Sequence, residues 1–216
     1  MARTQTYEDR CGIARALDVV GERWALLVVR ELLLGPKRFT DLRSGLPKVS
    51  AEVLAQRLRD LEQAGVVARR TLPPPGAARV YELTGRGAAL EPVLLALGRW
   101  GAGTPLGDPG AAMSLDSHVI ALKTLFSPGP RIAALQVGLT LGGHEYEVQV
   151  EGARLGVRRG AAADPDLTLT AAPQHFLAVL RGRRGLDDAV ERGELDVRGG
   201  MTVARRFFAM FPTPAG

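Results

Sequence analysis

Ser50-Ala-Glu-Val-Leu-Ala-Gln-Arg-Leu-Arg-Asp-Leu-Glu-Gln-Ala64 decides the fold of the first half of the chain. Leu54, Leu58 and Leu61 recur at i, i+4 and i+7, so they share one face of a helix. At about 100° per residue, Glu52, Gln56, Arg59 and Gln63 fall near the centre of the opposite face. Ser50 stands where an N-cap belongs, and Gly65 follows as a C-terminal stop. By itself this is an amphipathic helix with good ends; its flanks decide its use.

Upstream, Ile13, Leu17 and Val20 mark a short helix over 11–20. After Gly21, the spacing of Trp24, Leu27, Val28 and Leu32 predicts a second helix, stopped by Gly35-Pro36. Phe39 to Arg43 reads as a third, with Thr40 near its start, and Ser44 to Val49 is a turn. Downstream, Val66–Leu72 and Arg79–Leu83 are two short strands joined by a Pro/Gly connection, a hairpin with a basic rim. Thr84 caps a last helix whose stripe of Leu90, Val93, Leu94, Leu97 and Trp100 exceeds what core packing needs; a dimer contact would use the remainder. This order of elements is a mainly-α winged helix-turn-helix. Such a unit places its second helix in the major groove and its hairpin along the backbone or minor groove.

The charge distribution agrees. Residues 1–105 carry 16 Lys/Arg against 11 Asp/Glu, whereas residues 106–216 carry 12 of each, so the net +5 lies in the first half. A basic half beside a neutral one points to a polyanion partner for the first alone. Lys37, Arg38, Arg43 and Lys48 before the helix, and Arg69, Arg70 and Arg79 after it, suit phosphates, which position a protein without reading sequence. The candidate DNA-contacting residues are Arg38, Thr40, Lys48, Ser50, Ala51, Glu52, Gln56, Arg57, Arg59, Arg70 and Arg79. Gln56 and the helix's N-terminal end suit bases better than Arg57, which lies about 60° from the apolar centre and suits bracing or a phosphate.

Other chemistry finds little footing. One cysteine, Cys11, excludes an intramolecular disulfide and a cysteine-cluster metal site. His118, His144 and His175 have no ligand spacing and read as surface or capping residues. Asp187, Asp188 and Glu191 read as a solvated helix face rather than paired catalytic acids. Neither a Gly-x-Ser-x-Gly elbow nor a phosphate-binding glycine loop is present. The expectation is a non-enzyme with no metal and no cofactor. No apolar run reaches the roughly 18 residues that span a bilayer, and the N-terminus lacks a signal core, which predicts a cytoplasmic protein with no membrane insertion.

Gly101 to Met113 is rich in Gly, Pro and Ala and reads as a linker between a first domain, 1–100, and a second, 114–212. In the second, a helix through Leu115, Val119, Leu122 and Phe126 precedes period-2 alternation at Leu135/Val137/Leu139/Leu141, Tyr146/Val148/Val150, Leu155/Val157, Leu167/Leu169 and Leu195/Val197. Gly142-Gly143 and Glu151-Gly152 are hairpin turns, predicting a largely antiparallel sheet in an α+β domain. Pro173 opens a helix through Phe176, Leu177 and Leu180; a further piece lies near Leu186 to Val190, and an aromatic terminal helix contains Phe207, Phe208, Met210 and Phe211.

Three segments carry a family resemblance: Cys11 to Trp24, Leu32-Leu-Leu-Gly-Pro-Lys-Arg-Phe-Thr-Asp-Leu42, and Ser50 to Val67. With Tyr81-Glu-Leu-Thr84 and Leu97-Gly-Arg-Trp100, they resemble the HxlR family of bacterial transcriptional regulators over Cys11 to about Gly101. The resemblance implies a homodimer on double-stranded promoter DNA, with Ile13, Leu17, Leu90, Val93, Leu94, Leu97 and Trp100 at the dimer contact. It departs from the family where many relatives have a polar or basic pair and this chain has Ala51-Glu52: Glu52 either accepts from a cytosine amino group or points aside. Cys11 matches a redox-responsive cysteine in some relatives, and its other reading is a small buried residue at the dimer contact.

In the second half, Ala163 to Thr170, Gln174 to Leu177, Gly193 to Gly199 and Phe207 to Phe211 resemble the sterol-carrier-protein-2-like fold over about 114–212. That implies a five-stranded sheet covered by helices around an apolar tunnel. The candidate ligand-contacting residues are Leu135, Val137, Leu139, Val148, Leu167, Leu169, Phe176, Leu180, Phe207, Phe208 and Phe211. The main expectation is a dimeric regulator with an apolar or lipid-like effector. The alternatives are a redox regulator acting through Cys11 with a structural second domain, and a lipid carrier module.

Overall fold

The computed structural model describes residues 6–73, 78–102, 113–127, 129 and 133–212. Residues 103–112 of the expected linker and 74–77 of the hairpin tip lie outside them. The chain divides into two compact units, Met1–Leu94 and Leu95–Gly216.

The first unit is built on α1 (Gly12–Val20), α2 (Ala25–Leu32), α3 (Phe39–Gly45) and α4 (Ala51–Gln63), followed by β1 (Val67–Thr71), β2 (Arg79–Leu83) and α5 (Gly85–Ala88). Leu54, Leu58 and Leu61 of α4 are buried to 1% exposure or less and pack with Val28, Val29, Leu32, Leu42 and Val66. Burying one such leucine contributes about 1.5–3 kcal/mol, so α4 owes its place to this face. Its ends form as the sequence dictates: Ser50 Oγ accepts from Val53 N at 3.3 Å, and Gly65 takes the left-handed conformation at φ +68°. Strands β1 and β2 pair antiparallel from Val67↔Leu83 to Thr71↔Arg79. Lys37 adds a bridge on the outer edge of β2, exchanging both backbone hydrogen bonds with Tyr81.

The single last helix expected after Thr84 is in fact two. Thr84 Oγ1 accepts from Gly87 N and donates to Gly65 O, capping the four-residue α5; α6 then runs Glu91–Ala102. The break falls where Pro92 has no N–H to give the Ala88 carbonyl; Gly87 itself packs so close to Val66 that a Cβ would stand 2.1 Å from its carbonyl oxygen.

The second unit holds α7 (Leu115–Leu125), β3 (Leu135–Leu141), β4 (His144–Glu151), β5 (Arg154–Arg159), β6 (Leu167–Ala171), α8 (Pro173–Leu180), α9 (Leu186–Glu191), β7 (Leu195–Arg198) and α10 (Met201–Phe208). The sheet order is β5-β4-β3-β6-β7. All pairs are antiparallel except β3 with β6, so the sheet is mixed. The chain reaches the β5 edge and must cross back to the far side of β3, which brings β6 in parallel. Gly142 and Gly143, both at positive φ, make the tight β3–β4 turn; the β4–β5 turn sits one residue later than expected, at Gly152-Ala153.

The inward-facing residues of β3, β4 and β6 are buried, and so are Val119, Leu122, Phe176, Phe207, Met210 and Phe211 of the helices and the C-terminal segment. The rings of Phe207, Phe208 and Phe211 lie 5.1 to 5.4 Å apart in edge-on pairs. Among the described residues this unit buries two acids: Asp116 of α7 accepts from the Tyr146 hydroxyl at 3.1 Å and pairs with Arg159, and Glu147 of β4 accepts from Gln136 and Gln149 and pairs with Arg158. His118 is buried as well, with Nδ1 2.9 Å from the Ser114 carbonyl, rather than at the surface.

Burial, and after it the charge and hydrogen bond of Asp116, push the Tyr146 phenol well above its ordinary value of 10.0, with Arg159 opposing. The folded state therefore holds this proton more tightly than the unfolded chain does. The resulting stability is complete below pH 10 and is lost as pH rises beyond it. Urea unfolding followed by circular dichroism should show the full chain weaker at pH 11 than at pH 9. Tyr146→Phe, costing about 1 kcal/mol at neutral pH, should flatten that difference.

Candidate nucleic-acid interface

The exposed side of α4 begins at its cap. Ser50, Glu52, Val53 and Gln56 are exposed, and Ala51 is half-buried. Further along, the polar groups are chained at helical spacing: Arg59 Nη2 donates to Gln56 Oε1 at 2.6 Å, and Gln56 Nε2 donates to Asp60 Oδ1 at 2.7 Å. Arg57 joins them at Asp60 but turns toward the core side. Its side chain is 17% exposed and lies 3.3 Å from Asp60 and 3.5 Å from Glu22, spanning from α4 to the corner between α1 and α2.

Around α4 the cations divide into engaged and free. Arg38, the residue before α3, is exposed, and its backbone N–H donates to Asp41. Thr40, Arg43, Lys48 and Arg79 are exposed, and among the described residues no ion pair engages Arg38, Arg43, Lys48 or Arg79. Arg70 pairs with Glu82 at 3.0 Å but stays 49% exposed; Arg69 pairs with Glu62 and lies 5.1 Å over the Tyr81 ring. Lys37 corrects an expectation. It does not face outward for a phosphate, because its Nζ reaches inward to Glu31 Oε2 at 2.5 Å and its side chain is 11% exposed.

Glu31 is the group that sequence reading passed over. It is fully buried on α2 and is also held by Arg30 at 2.9 Å. Gly45 at the end of α3 sits so near that a Cβ there would fall 2.3 Å from the Glu31 carboxylate. The signal was present: a lone acid inside Ala25-Leu-Leu-Val-Val-Arg-Glu-Leu-Leu-Leu34 must be paired if it is buried.

The expected dimer residues fall into two groups. Ile13 and Leu17 on α1, and Val93, Leu97 and Trp100 on α6, are exposed, Ile13 at 72% and Trp100 at 76%. Leu90 and Leu94 instead pack partly against the core of the first unit. Cys11 is exposed just before α1, and hydrogen bonds from the backbone N–H groups of Ile13 and Ala14 lower its thiol pKa. A cavity in the same unit, lined by Ala16, Val19, Val20, Val66, Arg86 and Leu90, is mostly apolar and open on one side.

In the second unit, the eleven expected ligand-contacting residues all lie in the core, ten of them buried and Phe208 half-buried. They pack on one another, with Phe176 and Phe208 6.0 Å apart. Among the described residues there is no group of His, Cys, Asp or Glu arranged to hold a metal ion, and no helix long and apolar enough to cross a membrane.

Two family models match the chain. One, described as the HxlR-like helix-turn-helix, covers residues 19–105; the other, described as the SCP-2 sterol transfer family, covers residues 131–212. The uncharacterized HTH-type transcriptional regulator YvaP of Bacillus subtilis (strain 168) is 40% identical over 86 residues, 40% of this chain and 80% of YvaP. The HTH-type transcriptional regulator YodB of the same strain is 38% identical over 85 residues, 39% of this chain and 76% of YodB. The solved structure of reduced YodB from B. subtilis aligns over 48% of this chain and all of its own, at 34% identity and a TM-score of 0.40.

The bracing role of Arg57 is measurable. Arg57→Ala should lower the unfolding free energy by about 1 kcal/mol in urea, as for a partly buried ion pair. An unchanged midpoint would contradict the bracing role.

Proposed function

Since the chain belongs to the HxlR-like helix-turn-helix family, we propose that it regulates transcription by binding promoter DNA as a homodimer. The observation that carries this is the capped helix α4, anchored by three buried leucines, with its polar side open between unpaired cations. In the proposal, α4 enters the major groove. Arg38, Thr40, Lys48, Ser50, Arg59, Arg70 and Arg79 approach phosphates, and the residues around Ala51, Glu52 and Gln56 face bases. Arg57 holds α4 to the α1–α2 corner and contributes indirectly. The exposed apolar faces of α1 and α6 supply the contact between protomers, since unpaired Ile13, Leu17, Val93, Leu97 and Trp100 gain most by burial.

The proposed layout is a DNA-binding and dimerisation domain over 1–100, a linker over 101–113 and an effector domain over 114–212. The effector is an apolar, lipid-like molecule, a reading supported by the sterol-transfer match and by the aromatic packing around Phe207. It controls DNA affinity to the extent that it binds two conformations unequally, typically by 1–3 kcal/mol. The protein works in the cytoplasm and has no catalytic role in this account.

A second reading is favoured by one observation, the exposed Cys11 thiol with its lowered pKa, which makes thiolate available for oxidation at lower pH than an ordinary cysteine. In that case Cys11 is the sensor and the second domain is structural. Peroxide would then change DNA affinity in the wild type and leave Cys11→Ser unaffected.

Mobility shift of the full chain on its own upstream DNA tests the main reading. Arg79→Ala should weaken binding to every sequence tried, and the slope of log affinity against log salt should fall by about 1. An affinity that is unchanged, or lost on one sequence alone, would contradict the role given to Arg79. Co-purified lipid extract should shift the affinity of the intact protein. It should leave a variant ending before residue 114 unmoved, provided circular dichroism shows that variant folded.

A further inference from the structure

After the cap, the first five residues of α4 are Ala51, Glu52, Val53, Leu54 and Ala55, and none carries a side-chain hydrogen-bond donor. The next side chain, Gln56, has a donor, but its amide is engaged with Asp60 at 2.7 Å while its carbonyl accepts from Arg59. The polar and apolar side-chain groups that this turn leaves open beyond the Ser50 cap are a carboxylate and a pair of methyl groups. Glu52 is exposed and makes no ion pair among the described residues. Val53 is 42% exposed, whereas Leu54, Leu58 and Leu61 are 1% exposed or less. The first turn is also fixed in direction, because the backbone N–H of Val53 is the one bonded to Ser50 Oγ.

Set against the major-groove code, these groups select. Guanine shows the acceptors N7 and O6, which side chains without a donor cannot pair with bidentately and a carboxylate repels. Adenine shows an N6 donor, but N7 beside it repels a carboxylate, and the nearest amide, that of Gln56, has its carbonyl on Arg59 and one N–H on Asp60, which leaves a single N–H rather than a bidentate pair. Cytosine shows an N4 amino donor, and thymine a C5-methyl group. We propose that the N-terminal turn of α4 reads pyrimidines, with Val53 lying against a thymine C5-methyl group and Glu52 accepting from a cytosine N4 amino group. This rests on α4 being the major-groove helix. Within that reading it makes Val53 a specificity-determining residue and gives Glu52 a positive role.

The test starts from duplexes selected by the full-length protein out of a randomised library, followed by replacement of single thymines with uracil, which removes only the methyl group. At one thymine per half-site, uracil should weaken wild-type binding about fourfold, the ratio that ~0.8 kcal/mol for one buried methyl-sized group yields. Val53→Ala should bind the thymine and uracil duplexes alike, with its salt dependence unchanged and its thermal midpoint confirming the fold. Glu52→Gln, which adds a donor, should relax the preference for C·G at its position while binding all DNA somewhat more tightly.

Indifference of the wild type to every uracil, or a Val53→Ala protein that keeps the fourfold ratio, would overturn the thymine contact. A C·G preference intact in Glu52→Gln would overturn the cytosine contact. Failure to select or shift any duplex would overturn the DNA-binding reading itself, and the inference with it.

Discussion

A carboxylate with no solvent exposure, that of Glu31, fixes the geometry of the DNA-binding half. Burying a charge is costly unless it is paired and hydrogen-bonded, and the chain meets that condition from two directions. Arg30 approaches from the same helix, and Lys37 folds back from the start of the following turn. Lys37 is then committed along its whole length: its ammonium is on Glu31, and its backbone is bonded on both sides to Tyr81 of β2. One ionic contact thus ties the helix-turn-helix to its hairpin. Gly45 closes the other side, because only a residue without a side chain lets α3 end against that carboxylate. Removing one partner of such a group strands a buried charge, an effect of about 3–5 kcal/mol that would be felt by every element touching it.

The position of α4 follows from that frame and from its own leucines. Its apolar face is consumed by the core, so its polar side has no freedom to turn inward, and the helix is presented rather than merely exposed. Electrostatics around it sorts by engagement. Arg57, Arg69 and Lys37 are held in ion pairs, whereas among the described residues Arg38, Arg43, Lys48 and Arg79 are not. A count of basic residues alone could not separate these classes, although it correctly placed the excess charge in the first half.

Much of this was legible in the sequence, and for identifiable reasons. Caps, glycine stops and leucine spacing are local signals, so α1 to α4 and both hairpin strands appear where expected. The misses are tertiary. Period-2 alternation marks β3 and β6 as strands but does not say that they run parallel, since it encodes faces and not partners. The break in the expected helix after Thr84 is a local exception, since Pro92 lacks the N–H that would continue the ladder from Ala88. The inward pull on Lys37 depends on Glu31 being buried, which no window of neighbours reveals. By contrast, the Arg59–Gln56–Asp60 chain follows i, i+3 and i+4 spacing and could have been read in advance. In the second unit the residues expected to contact a ligand are inward-facing, because period-2 alternation encodes which face of a strand is buried.

The central claim is that two copies of this chain set two α4 helices into successive major grooves of one face of DNA. Hydroxyl-radical footprinting of the full-length protein on its own upstream region measures that directly. The account predicts two protected half-sites related by an approximate dyad, their centres about 10 base pairs or a multiple of that apart, as two-fold helix-turn-helix proteins require. Uniform protection that spreads with concentration, or a single unpaired site, would contradict it.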